Sequence, residues 1–348
     1  MTEDGKLLLG HWKKIMKRIL IITDNLPGQI NGVVTTFSNI ERIAKEDGYE
    51  FFYINPEQFT YINAYGYPEV KLSFPWRIGK KIREINPDYI HIATEGPIGL
   101  AASLWCWKYD YKFNTSYHTK FPEFLKEVYG IPTWITYRYV KWFHRHSGKV
   151  LTTTQTMVDD LHAHGFKTNI IPWTRGVDRN IFRSELRNVE KVHPPVLLSV
   201  GRISKEKGLD DFCELKYPKA KKIIVGDGPY RNELQEKYPD IEFVGTKTGV
   251  ELATYYANAD VFVFTSKHDT FGIVMIEALA VGTPVAAYPV AGPKDIIQNR
   301  KTGYMHSDLK YAVKQSLSIN RKLIESESLK WSWDNCWKIF KENLIKVK

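Results

Sequence analysis

Two carboxylates eight positions apart, Asp269 and Glu277, bracket the segment DTFGIVMIE, whose interior is almost wholly apolar. A carboxylate in such a run is seldom fully buried without a partner, so Glu277 requires a cation, a hydrogen-bond donor or a ligand. Gly272 stands where this segment enters a helix, and a helix N-terminus offers free N–H groups and a positive dipole end to an anion, phosphate above all. Glu277 follows Phe271 by six residues, roughly 9 Å along the axis at ~1.5 Å per residue. That is about the separation between a diphosphate and the ribose of one nucleotide. The alternative is a capped core helix in which Glu277 pairs with a nearby Lys or Arg. Upstream, Arg202 and Lys207 flank the turn GRISKEKG. Two cations beside a glycine turn can neutralise a diphosphate, although surface cations are common. Gly28 and Gly32 in NLPGQINGVVTT let backbone N–H groups approach a phosphate or sugar, a freedom that ordinary α/β turns also use. His118 in SYHTKFP directly follows a strand and is either a structural hydrogen bonder or an active-site group.

The elements that must position these residues alternate strand and helix twice. The apolar run Ile19 to Thr23 and the segments YEFFYINP, NPDYIHIA, FNTSY and LTTT read as strands, each ending in a polar or glycine-bearing loop, as strands of a parallel sheet do. Pro172, Gly176 and the polar tract up to Pro194 and Pro195 mark a crossing, after which VLLSV, KKIIV, IEFVG and Val261 to Phe264 repeat the pattern. Ligands of open parallel sheets bind at the carboxyl ends of the strands, where all these loops fall. Asp269 or Thr270 is expected to cap the helix FGIVMIEALAV, apolar on every face, with Gly282 just past its end and Pro284 forbidding continuation. Pro284 to Tyr288 reads as the next strand. Gly226 and Gly228 suggest dinucleotide binding, but Arg231 occupies the place of the last glycine in GxGxxG, which excludes an oxidoreductase of that type.

The stretch DTFG, EALA, GTPVAA and PVAGPKD resembles the acidic signature of retaining GT-B nucleotide-sugar glycosyltransferases of the family-four type, the glycosyltransferase group 1. Asp269 stands where that family usually has Glu. TEGPIGLAA, SYHTKFP and GRISKEKG are similar to further segments of the same enzymes. The resemblance covers nearly the whole chain from Met16. It implies two Rossmann-like α/β domains facing a cleft, with transfer of a hexose-type sugar from a nucleoside diphosphate to an acceptor hydroxyl and retained configuration. On this chain the family's roles fall on Asp269 and His118 for the donor sugar, and on Gly32, Arg202, Lys207, Phe271, Gly272 and Ile273 for the donor phosphates. Glu277 takes the ribose, and His118, Arg202 and Lys207 form the catalytic group. No metal or other cofactor is implied, and no Asp-x-Asp motif is present to hold one. The implied domains are an extension over 1–15, or a misplaced start, an acceptor-side domain over 16–173 and a nucleotide-sugar domain over 174–325. A C-terminal helix over 326–348 crosses back to the first domain.

Composition agrees with two soluble globular domains: 348 residues, 43% hydrophobic and 25% charged. Cys106, Cys213 and Cys336 are far apart and form no CxxC pair, which argues against a disulfide framework or structural zinc and fits a reducing, cytoplasmic compartment. No apolar run reaches the ~18 residues of a membrane span, and KLLLGHWKKIMKR is not a signal peptide. The net charge of +10 is partly concentrated between Trp105 and Val150, a segment crowded with Trp, Tyr and Phe. On an expected helix over 134–146, Arg138, Lys141 and Arg145 share one side, and Ile135, Tyr139, Trp142 and Phe143 an adjacent one. A basic face beside aromatics suits an anionic membrane, and an ordinary half-buried helix fits as well. Nucleic acid is a third partner class, without a recognition motif to support it. Relatives that glycosylate membrane lipids, mannosyl and sulfoquinovosyl transferases among them, favour a lipid or lipid-linked glycan acceptor at the inner face of a membrane. The rivals are a transferase to a soluble sugar or glycan, a GT-B sugar-nucleotide epimerase, and a non-catalytic membrane or nucleic-acid binder.

Overall fold

The computed structural model describes residues 16–29, 31–64, 67–188, 194–267 and 269–348; the expected extension over 1–15 lies outside the described residues. In chain order the strands of the first half are β1 (Lys17–Ile22), β2 (Tyr49–Ile54), β3 (Tyr61–Ala64), β4 (Tyr67–Ser73), β5 (Tyr89–Ile92), β6 (Asn114–Tyr117), β7 (Val150–Thr152) and β8 (Ile170–Pro172). Six of them form one sheet in the order β2-β1-β5-β6-β7-β8, every neighbour parallel. The second half supplies β9 (Val196–Val200), β10 (Lys221–Val225), β11 (Glu242–Phe243), β12 (Val261–Phe264), β13 (Val285–Ala287) and β14 (Gly303–Met305), parallel in the order β11-β10-β9-β12-β13-β14. The two expected α/β sheets are therefore present. The central strands are largely buried because helices cover both faces of each sheet. β1 and β12, with every residue from Ile19 to Ile22 and from Val261 to Phe264 buried, show this most clearly.

In each sheet the chain enters near the middle, adds strands on one side, and then crosses to the other. The order reverses between β1 and β5 in the first sheet and between β9 and β12 in the second. A crevice opens outside the carboxyl edge at such a reversal, because the loops on its two sides lead to opposite faces. The expected site residues follow these strands: Gly32 after β1, Arg202 and Lys207 after β9, and Asp269 to Ile273 after β12.

Asp24 pins the reversal in the first sheet. Its backbone N–H donates to Thr94 Oγ1 at 2.7 Å, Thr94 Oγ1 donates to its carboxylate at 2.7 Å, and Ile98 N–H at the start of helix Pro97–Lys108 donates to it at 2.8 Å. Burial raises the Asp24 carboxyl to about 6 against the opposing effect of these hydrogen bonds.

The structure adds an antiparallel hairpin, β3 with β4, that the sequence reading did not anticipate. At the other end of the chain, helix Trp333–Glu342 repeats large apolar residues at Trp333, Cys336, Trp337 and Phe340, one face of a 3.6-residue period. That face packs on Phe37, Ile40, Phe51 and Trp173 of the first sheet's core. Trp337 Nε1 and Lys341 Nζ both donate to Asp47, at 2.9 and 2.7 Å.

Candidate active site

The segment after β12 departs from expectation at the helix start. The helix spans Ile273–Ala280, and Gly272 caps it in the left-handed region at φ 84° without any side-chain cap bond. Neither expected cap residue is available. Asp269 Oδ1 accepts from Lys207 Nζ at 2.6 Å, and Thr270 Oγ1 donates to the His118 carbonyl at 2.5 Å. The loop thus uses its polar side chains to reach across both domains. Gly272 is required, because a Cβ there would stand 2.8 Å from Met275 Cε in an already unfavourable backbone conformation. The helix is not buried on all sides: Met275, Ile276, Ala278, Leu279 and Ala280 are buried, whereas Gly272, Ile273, Val274 and Glu277 are partly open. Ile273 and Glu277, four residues apart, lie on one face. Gly282, at φ 74°, follows the last turn as expected, and the next strand is shorter than expected, Val285–Ala287.

Glu277 has no basic partner among the described contacts. Its Oε2 accepts from the Tyr256 hydroxyl at 2.9 Å, and burial raises its carboxyl to about 7, with the Tyr256 bond working against the rise. Tyr256 is fully buried on helix Gly249–Asn258, which fixes the carboxylate from behind.

Gly32 opens helix Gly32–Glu46, and a Cβ on it would lie 3.7 Å from Ile273 Cδ1. The first-domain loop therefore faces the N-terminus of helix Ile273–Ala280. Lys207 sits in a tight turn closed by Gly208 at φ 63°, and its carbonyl accepts from Thr265 Oγ1 at 2.8 Å, so the exit of β12 holds it in place. Arg202 lies half-buried on the preceding turn. Gly226 and Gly228, dismissed as a dinucleotide motif, serve close backbone approach: a Cβ on either would strike the carbonyl of Gly201 or Ile203. They support the turn that carries Arg202.

His118 lies just beyond β6, as expected, and its Nδ1 is 2.9 Å from Nη2 of Arg175. A guanidinium only donates, so Nδ1 accepts and the ring proton resides on Nε2. Burial, and then the Arg175 charge, hold the imidazole well below its ordinary pKa. His118 is therefore a neutral donor at physiological pH, and its Nε2 is buried without a partner among the described residues. Arg175 is itself buried and donates to the Trp173 and Thr174 carbonyls at 2.7 and 3.0 Å. Sequence reading missed it because a single Arg in the crossing segment WTRG carries no periodic or motif signal.

The turn PVAGPKD buttresses the same loop. Gly292, at φ 82°, leaves room for the Asp269 and Phe271 carbonyls, which a Cβ would meet at 2.9 and 3.1 Å. Asp295 Oδ1 accepts from the backbone and hydroxyl of Thr156 at 3.1 and 3.0 Å, and Thr153 Oγ1 donates to the Thr270 carbonyl at 3.0 Å. Thr153, Thr156 and His118 thus tie the first domain to residues 270 and 295 of the second.

Arg138, Lys141, Trp142 and Arg145 are not part of this constellation. They lie on or just past helix Thr133–His144. The chain leaves that helix towards the start of β7, so Lys141, Trp142 and Arg145, in its last turn and just beyond, lie towards the amino edge of the first sheet. Arg138, Trp142 and Arg145 are exposed and Lys141 half-buried, and the Arg145 guanidinium sits 5.3 Å from the Trp142 ring centroid. Of the expected apolar side, Phe143 is buried, while Ile135 is exposed with Trp134 beside it.

Comparison with known proteins identifies the family and the fold. Residues 33–180 match Glycosyltransferase Family 4, and residues 181–325 match Glycosyl transferases group 1. The chain is 30% identical over 319 residues to a GDP-mannose-dependent alpha-mannosyltransferase of Mycobacterium tuberculosis (strain CDC 1551 / Oshkosh), covering 83% of each. It is 26% identical over 347 residues to an alpha-monoglucosyldiacylglycerol synthase of Streptococcus pneumoniae (strain ATCC BAA-255 / R6), covering 86% of this chain and 78% of that one. The Anabaena protein Alr3699/HepE, solved in complex with UDP and glucose, superposes with a TM-score of 0.70 at 15% identity, covering 94% of this chain and 98% of that one. With both halves matched in sequence and the two-sheet GT-B architecture matched in structure, the chain belongs to the group 1 glycosyltransferases.

Proposed function

We propose that this glycosyltransferase moves a hexose-type sugar from a nucleoside diphosphate to the hydroxyl of a membrane lipid or lipid-linked glycan, with retained configuration and no metal. The observation that carries the reading is one loop held by both domains. Residues 269–273 grip Lys207 through Asp269 and the His118 carbonyl through Thr270, beside Gly32 and above Glu277. In this reading the donor diphosphate lies between Arg202, Lys207 and the N-terminus of helix Ile273–Ala280. These groups oppose the charge that develops as the bond from the anomeric carbon to the phosphate oxygen breaks, which is the role a metal would otherwise fill. The acceptor oxygen bonds to the same face of that carbon, and its proton passes to an oxygen of the departing diphosphate. His118 donates from Nε2 to a sugar hydroxyl and positions rather than attacks. Asp269 takes another sugar hydroxyl, which requires its contact with Lys207 to be shared with the donor. Glu277, steadied by Tyr256, takes the ribose. A lipid-linked acceptor is supported by the similarity to a glucosyldiacylglycerol synthase and by the exposed Trp134, Trp142, Arg138 and Arg145.

The experiment is thermal unfolding against a panel of nucleoside diphosphates and their sugars, with and without chelator, followed by transfer assays. A ligand at ~100 times its Kd stabilises by ~2.7 kcal/mol. Stabilisation by one base that survives chelation supports the reading, and Lys207→Ala is expected to lose at least ~100-fold in transfer with the fold intact. Absence of any nucleotide effect, or a near-normal Lys207→Ala rate, defeats it.

A further inference from the structure

At the amino edge of the first sheet, away from the donor loops, a cleft of about 300 Å³ is lined by Lys141, Arg145, Gly165, Phe166, Lys167 and Thr168. Three cations and no carboxylate face it. Among the described residues no ion pair neutralises any of the three. Thr168 lines it, and its Oγ1 is buried with no hydrogen-bond partner among the described residues. An orphaned buried hydroxyl costs free energy, and cations lining one cleft repel one another. Both costs are repaid by an anion that accepts from the hydroxyl while neutralising the cations.

The floor of the cleft is preorganised. Gly165, at φ 81°, ends helix Gln155–Ala163, and Phe166 N–H donates to the Leu161 carbonyl at 3.1 Å. The buried Phe166 ring anchors the turn in the core beneath. Lys141 Nζ lies 3.8 Å from where a Cβ on Gly165 would stand, which sets the ammonium beside the turn. Trp142, beneath the Arg145 guanidinium, is exposed on the same helix.

We propose that this cleft is a second anion site that binds a phosphate ester, separate from the donor diphosphate site. Two sources share that chemistry, the headgroup of an acidic phospholipid and a free phosphate ester in solution. The site stands without the transferase reading; only its lipid source rests on the membrane-docking part of that reading. Cations at the end of helix Thr133–His144 also complement the helix dipole. The decisive variant is therefore neutral: Thr168→Val removes the hydroxyl and leaves the charge unchanged.

The test records backbone amide shifts of residues 165–168 in the full chain during titration with inorganic phosphate and glycerol 3-phosphate. A parallel arm measures co-sedimentation with phosphatidylcholine vesicles with and without phosphatidic acid. Saturable shifts at 165–168 are expected, with about tenfold weaker binding in Thr168→Val, the loss typical of a hydrogen bond to a charged group. Lys167→Gln, on an exposed side chain, should weaken it comparably. A defect of Thr168→Val on phosphatidic acid vesicles identifies a lipid headgroup, and a defect confined to glycerol 3-phosphate identifies a free ester; either supports the site. Unmoved amides at 165–168, or wild-type behaviour of Thr168→Val in both arms, overturns it. Nucleotide-induced stabilisation, read at Lys207 and Glu277, is independent of either result, so this site and the donor site fail separately.

Discussion

In the proposed reading, Glu277 sets function against stability at a single residue. Its carboxyl titrates at about 7 in the folded protein, against 4.5 ordinarily, with burial as the main cause. Between these values the native state binds more protons than the unfolded state, so this group's contribution to stability is complete below about pH 4.5 and is lost as the pH rises through about 7. Glu277→Gln keeps an acceptor for the Tyr256 hydroxyl and does not ionise. It should be more stable than the parent by up to ~3 kcal/mol at pH 8 and by much less at pH 5 in urea unfolding, while losing nucleotide binding. A pH-independent difference would show that the carboxyl is not perturbed. Arg175 offers a second test at the same scale. Replacing it by Met removes a cation and the donor to His118 Nδ1, so the His118 pKa should rise, still held down by burial, and the fixed Nε2–H tautomer should become mixed. Nitrogen-15 NMR of the imidazole reads both effects, and an unchanged titration would separate Arg175 from His118.

At the scale of elements, the loop over residues 269–272, the proposed donor loop, is shaped less by its own sequence than by the turn behind it. Gly292 is in the left-handed region and its missing Cβ makes space for two carbonyls of the loop. Gly292→Ala should displace residues 269–272 and cost 1 kcal/mol or more, roughly the penalty for a side chain at such a backbone angle plus a close contact. Its nucleotide-induced stabilisation should shrink by more than its global stability. Equal losses would mean that the turn supports the fold and not the loop. The helix after that loop was legible in the sequence through Gly282 and Pro284. Its start was not, because Asp269 and Thr270 have the chemistry of caps yet are engaged by Lys207 and His118, partners distant in the chain.

At the scale of the whole molecule, polar contacts among the described residues that join the two sheets include Thr153 to Thr270, Thr270 to the His118 carbonyl and Thr156 to Asp295, and the C-terminal helix returns to the first sheet. Trp337 on that helix packs against Tyr49, Phe51 and Phe340 and donates to Asp47. Trp337→Ala should cost about 3–5 kcal/mol, as large-to-small changes at buried aromatics do. Protein unfolding should then begin in the first sheet, observable by hydrogen exchange at β1 and β2. Protection lost first in β9 to β14 would refute this coupling. Among the described residues no helix is long and apolar enough to cross a membrane.

By itself the sequence determined the two parallel sheets, because strand and helix patterns alternate twice along the chain and each strand ends in a polar or glycine-bearing loop. It also determined which loops carry charge and glycine, and with the family resemblance it named Lys207, Asp269, His118 and Glu277 as candidates for acting on a nucleotide sugar. Tertiary structure alone decided their partners. Tyr256 behind Glu277, Arg175 behind His118 and Gly292 behind the donor loop are 21, 57 and 23 positions away from the residues they support. Hydrogen bonds and close approaches across such separations leave no local pattern, since each depends on where two independently formed elements come to rest. The same reason hid the cationic cleft. Lys141 and Arg145 looked like one helical face, and only the turn at Gly165 to Thr168 made them the wall of a cavity.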